Sequence, residues 1–177
     1  MTDISDGSNF MRFGDLGGLA STERAAFELR CGRPVFVVDE SDQASLILAT
    51  EMISDDRLVG LKNVAINETL HIVLTHQRAK TLKIRLYTRE VVRIPYPEWL
   101  TTQQVCQLSD PQFDLEEPMR GPFQAERTDV ALSVVAGVKL AKIGRILPSI
   151  IAASVPAIQV GKYSHISMVT ANDILNY

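Results

Sequence analysis

The 177-residue sequence is poor in the features that mark several protein classes. Its net charge of −3 offers no excess of Lys and Arg, so we expect no nucleic-acid partner. No apolar run approaches the roughly 18 residues of a membrane span, because Pro148 and Pro156 interrupt the longest one. The N-terminus lacks the basic-then-apolar pattern of a secretory signal. We therefore expect no contact with a membrane.

Cysteine is also scarce. Cys31 and Cys106 lie far apart and have no paired spacing typical of zinc or redox motifs. A reduced, cytoplasmic location is expected for such a chain. With 46% hydrophobic and 22% charged residues, the composition is that of a globular protein, and the length suits one domain.

The first twenty residues differ from the rest. They contain four of the ten glycines, which predicts a flexible N-terminal arm over residues 1–20 and a single domain over residues 21–177. Ser21 is a suitable N-cap for a first helix. Gly32 suits the left-handed end of that helix, and Pro34 prevents its continuation.

Continuous apolar runs predict strands that are buried on both faces, at residues 35–38, 46–50, 70–74 and 150–155. Residues 130–135 predict a further strand, and residues 137–147 a helix. The alternating apolar and basic residues at 82–86 fit either a half-exposed strand or a helix end. Because strands and helices alternate, we expect an α/β fold: a three-layer α+β domain with a mixed, twisted sheet flanked by helices.

Three carboxylates, Asp39, Glu40 and Asp42, follow the first predicted strand. Magnesium is commonly held by one or two carboxylates together with substrate phosphate, so this group is a candidate metal site. A polar turn between two buried strands is the more common explanation of such a cluster.

Other candidate residues carry weaker signals. His71, His76 and His165 have no metal-ligand spacing, which predicts structural histidines. Between Arg78 and Arg93 lie six basic residues, at positions 78, 80, 83, 85, 89 and 93. They could hold a phosphorylated ligand, although a solvated basic face is more common.

Three segments, in chain order, resemble 3,4-dihydroxy-2-butanone 4-phosphate synthase. Residues 23–39, ERAAFELRCGRPVFVVD, are similar to that family's opening helix, Gly-Arg-Pro turn and Val-rich strand ending in Asp. Residues 140–148, LAKIGRILP, resemble its L-A-R-L-A-G-L-K-P, and residues 168–177, MVTANDILNY, its closing L-V-T-I-A-D-L-I-A-Y. The resemblance implies the synthase fold and a link to riboflavin biosynthesis. The family's enzymes convert ribulose 5-phosphate to formate and a four-carbon phosphate, using magnesium.

The sequence departs from the family at its functional positions. The family's D-R-E-N-E-G-D is replaced by D-E-S-D-Q-A-S from Asp39 onward, so no carboxylate matches the metal-binding Glu. The ungapped match places Ser133 at the metal-binding His and Ser154 at the late catalytic Glu. A gapped alternative aligns residues 126–129, E-R-T-D, with the family's G-H-T-E. Since serine cannot perform the proton transfers of Glu, we expect a catalytically degenerate domain that needs no cofactor.

Some proteins carry such a degenerate domain in front of a GTP cyclohydrolase II domain. The resemblance implies that this chain is the N-terminal structural or oligomerisation part of such a protein, with the cyclohydrolase domain following in cis. Its start at Met1 and its end near Tyr177, where the family's domain border lies in fused proteins, agree with that expectation. The family also implies a homodimer.

Two alternatives remain open. One is an active magnesium-dependent lyase that makes 3,4-dihydroxy-2-butanone 4-phosphate and formate, with Asp39, Glu40 and Asp42 forming the metal site. The other is a stand-alone binding protein for a phosphorylated metabolite, anchored by the basic residues between Arg78 and Arg93.

Overall fold

The computed structural model describes residues 16–40, 43–116 and 121–177. Most of the predicted arm, residues 1–15, lies outside these ranges, as does the candidate site residue Asp42.

Six strands form one mixed sheet in the order β4-β3-β5-β2-β1-β6. The strands are β1 (Val35–Val38), β2 (Gln43–Ala49), β3 (His71–Thr75), β4 (Val91–Pro95), β5 (Ser149–Pro156) and β6 (Ser167–Thr170). All neighbours are antiparallel except β1 and β6, which are parallel. The expected mixed sheet is confirmed, and the four strands predicted from apolar runs match β1, β2, β3 and β5.

Helices cover both faces of the sheet. They are α1 (Leu16–Arg30), α2 (Asp55–Val64), α3 (His76–Thr81), α4 (Thr102–Ser109), α5 (Leu132–Ile143), α6 (Ala157–Val160) and α7 (Ala171–Leu175), with 3-10 turns at Thr50–Met52 and Pro111–Phe113. Helices α1, α5 and α7 pack on one face, and α2, α3 and α4 on the other. None of the helices in the described ranges is long and apolar enough to cross a membrane.

The central strands are mostly apolar because both of their faces are buried. In β2, Leu46 and Leu48 belong to the core on the α2 side, whereas Ile47 and Ala49 belong to the core on the α5 side. This is the arrangement that continuous, non-alternating apolar runs predict.

Two local predictions were wrong. Helix α1 begins at Leu16 rather than at Ser21, whose hydroxyl donates to the carbonyl of Gly18 at 2.8 Å instead of capping the helix. The strand predicted at 130–135 is instead the approach to α5 and its first turn. Burial of α5 residues against the sheet at helical spacing outweighs the β preference of the valines there. Residues 82–86 begin with the end of α3, as one of the two alternatives predicted: Leu82 is its C-cap, Lys83 has φ 57°, and an irregular connection follows.

The end of α1 agrees with its prediction. Gly32 has φ 72°, and the amide of Arg33 donates to the carbonyl of Glu28 at 3.0 Å. This is the six-residue hydrogen bond of a Schellman cap, which requires a left-handed residue that glycine adopts without strain.

Candidate functional site

One end of the sheet brings together most of the predicted site residues. There β1 ends, β2 begins and β5 ends, and the register places Val37 beside Ser45 and Ser45 beside Ser154. Directly paired residues of antiparallel strands point to the same face. Ser45 and Ser154 therefore share the face that α5 covers.

Ser133 completes this group from the first turn of α5. It is buried, and its Oγ lies 2.9 Å from Oγ of Ser45. The two positions at which the resemblance places the metal-binding His and the catalytic Glu, Ser133 and Ser154, thus meet around Ser45. The sequence reasoning did not single out Ser45. The available signal was a polar residue inside the otherwise apolar run from Ala44 to Ala49.

The side chain of Asp39 caps the N-terminus of helix α5. Its Oδ2 accepts a hydrogen bond from the amide of Ser133 at 3.3 Å, while the N-cap residue Ala131 provides no side-chain cap. A carboxylate at this place satisfies a free amide and interacts favourably with the positive end of the helix dipole. In other proteins a helix N-terminus can bind the anionic group of a substrate. Here a carboxylate of the chain itself, that of Asp39, takes that position.

Glu40 lies beside Asp39 at the rim of an open cavity of about 580 Å³. Its Oε1 accepts a hydrogen bond from Nδ2 of Asn172 at 3.3 Å. Leu132 and Thr170 also line the cavity, and among the described residues no Lys or Arg does. Among the residues that the structure describes, a phosphate ester entering here would meet two carboxylates and no compensating cation.

Asp39 and Glu40 are the described carboxylates that would have to bind a magnesium ion at this cavity. Magnesium binds carboxylate oxygens with strict octahedral geometry. Here Asp39 bonds to α5, Glu40 bonds to Asn172, and Ser133 and Ser154 offer only neutral hydroxyls. Within residues 16–40, 43–116 and 121–177, no three His, Cys, Asp or Glu side chains form a group that could hold a metal ion.

His71 belongs to an ion-paired cluster at the start of β3. Its Nε2 lies 3.1 Å from Oε1 of Glu126, whose Oε2 lies 2.5 Å from Nη2 of Arg93. Burial lowers the pKa of His71, and Glu126 offsets part of that effect. Elsewhere, His76 begins α3, and His165 is exposed with its ring 6.2 Å from that of Tyr163.

No protein-family model matches the sequence. A GTP cyclohydrolase-2 from Azospirillum brasilense is 28% identical over 142 residues, which cover 78% of this chain and 36% of that protein. The chain therefore spans about a third of the length of this curated relative.

Solved structures resemble the chain over most of its length. A 3,4-dihydroxy-2-butanone 4-phosphate synthase of Candida albicans has a TM-score of 0.64 at 18% identity, covering 88% of this chain and 95% of that one. A two-domain synthase from A. baumannii has a TM-score of 0.67 at 13% identity, covering 88% and 57%. A synthase in complex with two magnesium ions has a TM-score of 0.66 at 13% identity, covering 87% and 94%.

The chain has the fold of 3,4-dihydroxy-2-butanone 4-phosphate synthase. The resemblance of the three sequence segments to the synthases is thereby confirmed at the level of the fold.

Within the synthase fold, the gapped alternative places its residues elsewhere. The amide of Glu126 donates to the carbonyl of Arg93 at 2.9 Å, and Oγ1 of Thr128 accepts from Nη2 of Arg93 at 2.9 Å. This segment therefore runs along β4, whereas the ungapped positions Ser133 and Ser154 both lie beside Ser45.

Two of the six basic residues between Arg78 and Arg93 are paired inside the fold. Arg78 is buried, and its Nη1 and Nη2 each donate to Asp114 at 2.7 Å, while its Nε donates to the carbonyl of Leu108 at 2.7 Å. Arg93 is paired with Glu126. The other four basic side chains, at positions 80, 83, 85 and 89, are exposed. Two of the six cations are thus already neutralised inside the synthase fold.

Proposed function

We propose that this chain is a catalytically degenerate domain of the synthase fold, the N-terminal structural or oligomerisation part of a GTP cyclohydrolase II protein of riboflavin biosynthesis. One observation carries the proposal. The positions that the resemblance assigns to the metal-binding His and the catalytic Glu meet at the same place in the fold, and both are occupied by serine, Ser133 and Ser154.

The chemistry of these serines supports the loss of lyase activity. Conversion of ribulose 5-phosphate to formate needs groups that give and take protons near neutral pH. Neutral hydroxyls do not do this without an activating base, and each lost general acid–base step costs about 10²–10⁴-fold in rate. The hydroxyls of Ser45 and Ser133 instead bond to each other, and the Asp39 carboxylate bonds to α5.

The test is an assay for formate after incubation of the chain with ribulose 5-phosphate and magnesium, beside an active synthase as a positive control. We expect no formate above the protein-free background. Turnover that disappears in Asp42→Asn would contradict the proposal. It would favour the alternative of an active lyase with a metal site at Asp39, Glu40 and Asp42.

The likeness to a GTP cyclohydrolase-2 supports the fused context, since the chain matches about a third of that protein. Cyclohydrolase chemistry needs a metal-activated water, and hence a zinc ligand set that a following domain would supply. The test is the coding sequence after Tyr177. A reading frame that continues into such a ligand set supports the fusion, and a stop codon directly after Tyr177 contradicts it.

We further propose a cytoplasmic location. Cys31 and Cys106 are both free thiols, a state that is typical of reducing compartments. Cell fractionation of the native host would test this location.

A further inference from the structure

A second pocket lies at the opposite end of the sheet from Asp39. It has a volume of about 330 Å³ and lies among the end of α1, the start of β1, helix α2 and the loop at 161–166. Its apolar lining consists of Pro34, Leu48, Leu61, Val64 and Ile166. A concave, mostly apolar pocket of this size with few polar groups is typical of small-molecule sites.

Arg57 provides the fixed charge of this pocket. Its Nη1 donates to the carbonyl of Met52, and its Nη2 donates to the carbonyl of Cys31 at 3.3 Å. The guanidinium packs against Gly32, where a Cβ would come within 2.4 Å of Nη1. These contacts orient the exposed guanidinium beside the pocket. Because a guanidinium has five N–H donors, further donors are available to a ligand.

Within the described residues, no carboxylate compensates the positive charge of Arg57. No ion pair joins it to a carboxylate in the part of the chain that the structure describes. The neighbouring Arg33 is neutralised, since its Nη2 donates to Oε1 of Glu28 at 2.9 Å. This hydrogen bond with Arg33 lowers the pKa of Glu28, which keeps the pair ionised. The Glu28–Arg33 pair and the imidazole of His165 line the pocket too, and Arg57 adds a guanidinium outside that pair.

We propose that this pocket binds a small amphipathic anion, with an apolar or aromatic body against Leu48 and Leu61 and a carboxylate or phosphate on Arg57. Charge complementarity and the apolar floor together specify this chemistry. The site is independent of the proposed function, because it shares no residue with the Asp39 end of the sheet.

Gly60 allows the pocket to be blocked without strain. It lies on α2 and lines the pocket, and a Cβ added there would meet no atom within 4 Å. Gly60→Leu would fill free space while raising helix propensity. Gly60→Ala is the matched control, because it raises helix propensity and adds only a methyl group.

The test uses equilibrium dialysis of the 177-residue chain against 1-naphthyl phosphate, 1-naphthoate and the neutral 1-naphthol. We expect both anions to bind about tenfold or more tighter than naphthol, as a charged hydrogen bond implies. The ratio between the two anions identifies the preferred head group. Arg57→Gln should remove the preference for anions, and Arg57→Lys should restore part of it.

The Gly60 variants test the place of binding. We expect Gly60→Leu to lower the affinity for both anions about tenfold or more. The affinity of Gly60→Ala should stay within about twofold of that of the unmodified chain. Equal binding of naphthol and the anions, no binding of any probe, or an unchanged affinity in Gly60→Leu would each overturn the proposal. Thermal melting of each variant shows whether it is folded, and the Gly60 pair decides the outcome even if Arg57→Gln does not fold.

Discussion

Two buried hydroxyls at the Asp39 end of the sheet bond to each other. Ser45 and Ser133 are both buried, and their oxygens lie 2.9 Å apart. At the scale of single residues, each side chain therefore supplies the hydrogen-bond partner that the other needs inside the core.

Ser133→Ala should destabilise the chain by about 1 kcal/mol, since it leaves the Ser45 hydroxyl buried without this partner. The double variant Ser45→Ala, Ser133→Ala should cost less than the sum of the two single changes, because it removes both polar groups. Urea unfolding of the four proteins in the cycle measures this coupling. Additive single costs would show that the hydrogen bond contributes nothing.

His71 should make stability depend on pH. Its pKa is lowered by burial, so the unfolded chain binds the proton more readily than the folded one. The contribution of neutral His71 to the free energy of unfolding is therefore fully present above the unfolded histidine pKa of about 6.5. It is lost as the pH falls below that value.

Between about pH 7 and pH 5, the free energy of unfolding of His71→Gln should fall by less than that of the unmodified chain. Urea unfolding at each pH measures both. His165→Gln is the control, since His165 is exposed and lies outside the core. Parallel stability curves for His71→Gln and the unmodified chain would contradict the role of His71.

At the scale of elements, charged side chains from elsewhere in the chain fix helices and turns. Asp39, just past the end of β1, caps α5, and Arg78 joins α3 to the segment that follows α4. Gly137 on α5 shows how closely that helix approaches the sheet, because a Cβ there would lie 2.9 Å from Cδ1 of Ile150.

Asp39→Ala should destabilise the fold by about 1 kcal/mol, the usual cost of losing an N-cap. Asp39→Asn should cost less, since the amide oxygen still accepts from the Ser133 amide. Glu40→Ala, at the neighbouring exposed position, is the matched control and should change the free energy of unfolding by less than about 0.5 kcal/mol. If all three variants have the same free energy of unfolding, Asp39 does not cap α5.

Arg78→Met should destabilise by about 2–4 kcal/mol, because it removes the bidentate pair of the buried Arg78 with the half-buried Asp114 and leaves that carboxylate without this partner. The exposed Lys80 on the same helix is the control, and Lys80→Met should stay within about 0.5 kcal/mol. Chemical denaturation measures both. Equal effects of the two substitutions would show that the ion pair with Asp114 is dispensable.

At the scale of the whole molecule, the proposed structural role implies self-association. Interfaces are commonly apolar and need no catalytic group, so a homodimer can persist after an active site is lost. Large apolar side chains are indeed exposed, among them Ile158 at 85% and Met168 at 56%.

We expect sedimentation of the 177-residue chain at tens of micromolar to give a mass near twice its 19.6 kDa. The measurement should be repeated over a range of concentrations, because a dimer dissociates on dilution according to mass action. A monomeric mass at every concentration would contradict the homodimer.

What the sequence by itself determined is the apolar framework and the identity of the fold. Strands buried on both faces carry continuous apolar runs, which are local patterns, so β1, β2, β3 and β5 were predictable. The glycine that ends α1 was predictable for the same reason, because a left-handed residue is a local requirement. The start of α5 was not, because valines favour strands until burial against a sheet selects the helix.

Only the tertiary structure decided which polar groups meet. Ser45 and Ser133 are 88 positions apart, and Asp39 reaches Ser133 across 94. Such contacts depend on strand order and register, to which residues distant in sequence contribute together. The pocket at Arg57 has the same origin, since its walls come from α1, β2, α2 and the loop before β6. A local pattern records which residues are buried, whereas a site requires the positions of all its residues at once.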